Sequence, residues 1–257
     1  SNGIEYTLRI ENLKNLLDIE MNPQNFPFDF LIGAMIEPGG FVINEILADP
    51  LSGSDDDYVE LYNNSNNFLD IADLIIANTS RTSGKIYEEV KTSFILKPGE
   101  YVVLTPSPFL TSLNYAVENP DFLVENDLPK LNISDGNVSI FTSYGLDTVM
   151  IDSFDYSNDF HFPFIDETKG ISLERISFDA PTQDNSNWHS ASTISGGGTP
   201  TFKNSQIRPT NPADDFFSIA EKTFSPDEDG FRDFLLIDYT FEIQGYLATV
   251  NIYDAKG

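Results

Sequence analysis

The residues of this chain best placed to do chemistry are three aspartates in the stretch FSPDEDGFRDF. Asp227, Asp229 and Asp233 stand at i, i+2 and i+6 around Gly230. Carboxylates so spaced can wrap oxygen ligands around a hard cation, and Ca²⁺ takes about six to eight oxygens. The loop is shorter than an EF-hand loop and lacks its closing Glu, so that motif does not apply. Spacing alone is thin ground for a metal, and an acidic turn held by Asx-type hydrogen bonds is the plainer reading. The run Asp55-Asp56-Asp57 reads as a solvated loop tip.

Histidine occurs at His161 and His189. His161 lies among Phe160, Phe162 and Phe164, a group that would suit a glycan or protein if exposed; burial over one end of a β-sandwich is the commoner fate of such residues. His189, after Trp188, reads as structural. There is no HExxH, no GxSxG, no P-loop and no cysteine nucleophile. The glycine-rich run at 195–200 is followed by no GK[ST] and reads as a turn into a closing strand. With Asp+Glu 41, some carboxylate pair falls at glycosidase separation by chance, so pairing carries no weight. No catalytic residue and no enzyme are expected.

The elements that must carry these residues are strands. In FVINEIL (41–47) and YVELYN (58–63) the period is close to two, with Val42, Ile46, Val59 and Leu61 as core positions. Asn44, Glu45, Glu60 and Asn63 are polar residues inside these apolar runs, and they should hydrogen-bond to loop backbone at the sandwich end. Turn residues at Gly53, 63–67, Gly84, Pro98-Gly99, Asp135-Gly136 and Gly145 separate runs of strand length, the rhythm of an antiparallel sandwich. Asn137 suits a tight turn with positive φ. Residues 106–131 form a long excursion with one helical turn, and 154–170 a second, aromatic one. Near the start, 4–10 reads as a strand, and the next stretch has a helix at 13–19 as its competing reading.

VINEIL followed by YVELYN resembles the opening of the lamin tail domain, an immunoglobulin-like sandwich. LKPGEYVVL (96–104), LNISDGNVSI (131–140), VMIDSFDY (149–156), ISLER (171–175), NWHSA (187–191), GGTP (197–200) and Asn204-Ser205 continue the likeness in order. The resemblance spans 41–205 and implies an all-β, Ig-like antiparallel sandwich. Residues 1–37 resemble the C-terminal part of a bacterial surface-protein Ig-like module. After a linker at 206–215, residues 216–257 resemble the N-terminal part of a C-terminal Ig-like module of bacterial secreted proteins. Strands are expected at 216–220, 234–241 and 248–253. These partial end modules are expected to pair with neighbouring copies or with the central domain.

The chain has 257 residues, 40% hydrophobic, with Phe 21 and Tyr 11, enough for a large core in two or three units. Lys+Arg 14 against Asp+Glu 41 gives a net charge of −27, a field that repels polyanions. A DNA partner is therefore not expected, although lamin-type tails are linked with chromatin. Cys 0 leaves stability to packing or bound ions. No apolar run is long enough to insert in a membrane. With these bounds, the resemblance implies a non-catalytic module of an exported bacterial protein, extracellular or in the cell envelope, that spaces or attaches to protein or glycan at the cell surface. The alternative is a carbohydrate-binding or accessory module of a secreted hydrolase.

Overall fold

The computed structural model describes residues 4–11, 14, 24–30, 33–51, 57–72, 74–79, 86–144, 147–163, 165, 167–207, 217–219, 223–227, 229, 231–240 and 250. At the N-terminal side β1 (Ile4–Ile10) pairs antiparallel with β2 (Gln24–Phe30), with Pro27 opposite Thr7. A proline is tolerated there because each strand of a two-stranded ribbon has an open edge. The competing helix at 13–19 lies outside the described residues apart from Lys14.

The central body is made by β3 (Phe41–Leu47), β4 (Tyr58–Asn63), β5 (Leu69–Asp70), β6 (Leu74–Ala77), β7 (Tyr87–Glu89), β8 (Ile95–Leu96) and β9 (Tyr101–Thr105). Helix α1 (Pro108–Asn114) follows, then β10 (Leu123–Glu125), β11 (Asp135–Tyr144), β12 (Asp147–Ser157), β13 (Leu173–Arg175) and β14 (Trp188–Ser190). One sheet has six strands in the order β10-β9-β4-β3-β13-β14, and a second has four, β12-β11-β6-β7. The short pair β5-β8 lies apart. β10 runs parallel to β9. A parallel neighbour needs a crossover, and α1 supplies it, begun by Ser107, whose hydroxyl accepts from the Leu110 N–H, and by Pro108 in the first turn. The expected helical turn in 106–131 is thus present; the parallel strand after it was not foreseen.

The two sheets pack face to face as an Ig-like sandwich. Ile46, Val59, Leu61, Val102 and Leu104 from one, and Leu74, Ile76, Val138, Ile140 and Phe154 from the other, share one core. Trp188 stacks on Phe154 with ring centroids 3.8 Å apart. Val42 departs from the period-two reading. Ile43 pairs with Leu61 but Glu45 with Glu60, so Asn44 is an extra residue and β3 bulges. Phe41 and Ile43 therefore join Ile46 in the core, and Val42 is buried on the outer face.

Two turn readings are corrected. Asp135, Gly136 and Asn137 lie in β11, paired with Ser157, Tyr156 and Asp155. Asn137 does not have a positive φ, a state confined among described non-glycine residues to Thr201 and Arg232. Gly136 serves close approach, since a Cβ there would run into the Tyr156 ring. The excursion expected at 154–170 starts later, because β12 continues to Ser157 with Phe154 and Tyr156 buried. On the C-terminal side β15 (Phe217–Ile219) pairs with β16 (Ile237–Tyr239), within two of the expected strands. The strand expected at 248–253 lies outside the described residues but for Val250.

Candidate functional site

The polar residues inside the strand patterns meet on the outer face of the six-stranded sheet. The register sets Glu60 of β4 opposite Glu45 of β3, and Glu45 opposite Glu174 of β13. Cross-strand partners project from the same face, so three carboxyls form one row across the sheet. His189 stands beyond Glu174, and Val103 beyond Glu60. All three glutamates are fully buried.

Residues 197–207 cover the row. Their N–H groups donate to carboxyls instead of to a neighbouring strand: Thr199 to Glu45 Oε1 at 2.9 Å, Thr201 to Glu60 Oε2 at 2.5 Å, Gln206 to Glu174 Oε2 at 3.0 Å. Hydroxyls add to them. Tyr58 and Ser172 each donate to Glu45 Oε1 at 2.5 Å, and Ser205 donates to Glu174 Oε2 at 2.8 Å. Asn44, the bulge residue, donates to Glu60 Oε1 at 2.7 Å and to Asn204 Oδ1 at 2.5 Å; Asn204 returns a bond to Arg175 O at 2.9 Å. The carboxyls thus satisfy a buried loop backbone that has no ladder of its own.

That covering geometry is demanding. Thr201, a β-branched residue, has φ +73°, a conformation costing of order 1–3 kcal/mol that persists only where its surroundings over-determine it. Here the Glu60 bond to its N–H, and the Asn119 N–H donating to its hydroxyl at 3.0 Å, supply that constraint. Gly198 passes so close to the sheet that a Cβ would lie 2.5 Å from the Tyr58 hydroxyl. The segment is not the closing strand expected after the glycine run; it carries no ladder and is a buried latch.

Burial pushes all three carboxyls above the usual range. For Glu45 the hydrogen bonds from Ser172, Tyr58 and Thr199 oppose that rise. For Glu60 burial is the first cause and the charge of Glu45 the second, against the bonds from Asn44 and Thr201. Glu174 is pushed up to about 8, again by burial and then by Glu45.

A half-buried carboxylate lies on the other side of the same sheet. β13 pairs with β3 only at Leu173 and Glu174, so the backbone of Ile43 must find other partners. Asp152 of β12 accepts its N–H at 2.8 Å, and Arg175 Nε donates to its carbonyl at 2.7 Å. Arg175 Nη2 lies 3.4 Å from Asp152 Oδ2, and its guanidinium sits 5.2 Å from the Trp188 ring centre. Burial raises Asp152 and lowers Arg175 to about 10, each opposed by the other's charge.

The residues singled out in the sequence lie elsewhere. One carboxylate oxygen from each of Asp227, Asp229 and Asp233 falls within 4.8 Å of the others, close enough to share one cation. Asp229 Oδ1 accepts from the Phe231 N–H at 2.7 Å, the Asx turn of the plainer reading. Phe160 packs half-buried against the core, 6.1 Å from Phe154. His161 is half-buried with Nδ1 3.0 Å from Ser190 Oγ, and Phe162 lies 5.5 Å from the His189 ring. Phe164 is outside the described residues. Of the embedded polar residues, Glu45 and Glu60 do hold loop backbone, as does Asn63, whose amide donates to Asn67 O and Leu96 O. They do so on the sheet's outer face as well as at its end. Glu174 was not singled out; its place beside Arg175 in a three-residue strand hid the alternation.

The family model of the Lamin Tail Domain matches residues 36–157. No curated protein matches the sequence. Among solved structures, a DUF4876 family protein from Bacteroides thetaiotaomicron is similar at 11% identity, covering 78% of this chain and 86% of that one, with a TM-score of 0.38. β13 and β14 lie beyond the matched stretch yet hydrogen-bond into the same sheet as β3 and β4. Residues 36–157 are thus similar to the lamin tail domain, and the two packed sheets around them have the immunoglobulin-like architecture of that domain.

Proposed function

We propose that this chain is a non-catalytic extracellular or cell-surface part of a multidomain bacterial protein, one that spaces or attaches neighbouring parts to protein or glycan. The coarser statement, a structural or binding module, follows from the family. The observation that carries the finer one is the direction of the buried acids. Glu45, Glu60 and Glu174, whose carboxyls burial raises, converge on their own backbone rather than on a cleft, which is how a rigid scaffold uses them. The charge of −27 supports a partner other than nucleic acid. Among the described residues no helix is long and apolar enough to cross a membrane.

The test presents the labelled chain to intact bacterial envelopes, a polysaccharide array and duplex DNA, beside a panel of chromogenic glycoside, ester and peptide substrates. Saturable retention on envelope or glycan without turnover is the expected result. Turnover that Glu45→Gln or Glu174→Gln removes, or tight DNA binding at physiological salt, overturns it.

Calcium belongs to the same reading. Asp227, Asp229 and Asp233 would supply oxygens to a Ca²⁺ ion between β15 and β16. Millimolar CaCl₂ should raise the melting temperature, and Asp229→Ala should abolish the rise. A melting temperature indifferent to calcium retires the site.

A further inference from the structure

The hydrogen count at the middle of the acid row does not close with three carboxylates. Thr199 Oγ1 lies 2.8 Å from Glu174 Oε1 and 3.0 Å from Glu45 Oε2, both good O–H···O distances. A threonine hydroxyl owns one proton and an ionised carboxylate owns none. For both contacts to be full two-centre hydrogen bonds, a second proton is needed, carried by one of the acids and donated to a lone pair of Thr199.

The donor sets show which acid carries it. Glu45 already receives Tyr58, Ser172 and the Thr199 N–H on Oε1, the environment of an anion. Glu174 receives Ser205 and the Gln206 N–H, both on Oε2, leaving Oε1 to face Thr199. The chain of bonds is then Glu174 Oε1–H to Thr199 Oγ1, and Thr199 Oγ1–H to Glu45 Oε2.

We infer that Glu174 is a neutral carboxylic acid whose proton closes the 197–207 segment on the sheet, so that the segment is a proton-operated latch that loosens when Glu174 ionises. Loss of that proton sets two carboxylates on one hydroxyl and adds an anion to a dry row. The groups facing Glu174 give that anion little relief. They are Glu45 on β3, Glu60 and Tyr58 on β4, and His189 opposite it on β14. The latch's own Lys203 is exposed. The cation of the adjacent Arg175 is committed to Asp152, Thr182 and the Ile43 carbonyl. The raised titration of Glu174 agrees in direction. Opening would uncover an outer sheet face carrying three acids.

The test follows the full chain, labelled with ¹³C in the glutamate carboxyls, by NMR across pH, together with amide hydrogen exchange. A glutamate carboxyl that remains protonated through neutral pH should vanish from the set in Glu174→Gln, whose amide can donate to Thr199 while its oxygen accepts from Ser205 and Gln206. The protection of the Thr199, Thr201 and Gln206 amides, corrected for intrinsic rates, should fall about tenfold per pH unit through that titration, as linkage to one proton requires. In Glu174→Gln it should stay flat. Every wild-type glutamate titrating in the ordinary range overturns the inference whether or not the variant folds, and so does a pH dependence unchanged by Glu174→Gln.

Discussion

Two acid sites, one half-buried and one fully buried, sit on opposite sides of β3 and solve the same problem differently. At Asp152 the charge meets a cation, and the pair spends its remaining bonds on the Ile43 backbone, N–H to Asp152 and carbonyl to Arg175. At Glu45, Glu60 and Glu174 no cation is drawn in among the described residues; neutral hydroxyls, amides and backbone N–H groups do the work. In the first arrangement the Arg175 charge and the hydrogen bonds from Ile43 and Thr182 oppose the rise that burial imposes on Asp152. The second holds several acids at close quarters only by keeping protons, since like charges in a dry site raise one another's affinity for them. Paired charge clamps the two sheets together, whereas unpaired acid clamps a loop to one sheet.

The largest effect should come from breaking the ion pair. Arg175→Met leaves Asp152 buried without its cation and the Ile43 carbonyl without its donor, and should cost about 3–5 kcal/mol in urea unfolding. Removing both charges with Asp152→Leu in the same chain should recover much of that loss. A single variant milder than any change in the glutamate row would reverse the ranking of the two sites. Next in size is Glu45→Ala, which orphans the Tyr58 and Ser172 hydroxyls and the Thr199 N–H, a cost of roughly 3 kcal/mol for buried donors left without acceptors. If equilibrium unfolding puts that variant within experimental error of wild type, the row is not what holds the latch.

The contrast also explains what the sequence could convey. Strand alternation and turn spacing made the two-sheet sandwich legible, because those patterns are set by neighbours a few residues apart. Asn44, Glu45, Glu60 and Asn63 announced themselves by interrupting apolar runs. Their partners did not. Thr199, Thr201 and Gln206 lie 140 or more residues from Glu45 and Glu60 or 32 from Glu174, and nothing in a glycine-rich, threonine-rich stretch distinguishes a buried latch from a surface turn. The bulge was hidden for a related reason. One inserted residue moves Val42 to the outer face, and only pairing with Leu61 and Glu60 reveals which residue is extra. Asp135-Gly136-Asn137 carries turn residues but is held in β11 by long-range pairing, a case of tertiary context overriding local preference.

The smallest effect sharpens the comparison from a third titrating group. His161 is lowered to about 4, first by burial and then by the neighbouring His189. Its geometry agrees: the Phe162 N–H donates to Ser190 Oγ at 2.8 Å, which frees the serine proton for His161 Nδ1 and favours a neutral ring. The sign is that of a group whose folded pKa is depressed. Its contribution is fully present above about 6.5, the ordinary histidine value, and is lost as pH falls toward 4. Glu174 has the opposite sign, with its contribution full below the ordinary 4.5 and lost as pH rises through about 8. A pH series of urea midpoints should therefore decline on both sides. His161→Gln should flatten the acid side alone, and Glu174→Gln the alkaline side alone. If either variant flattened both limbs, the row and the histidine would be one coupled network, and the separation between a loop clamped by protons and an end packed around a neutral ring would have to be abandoned.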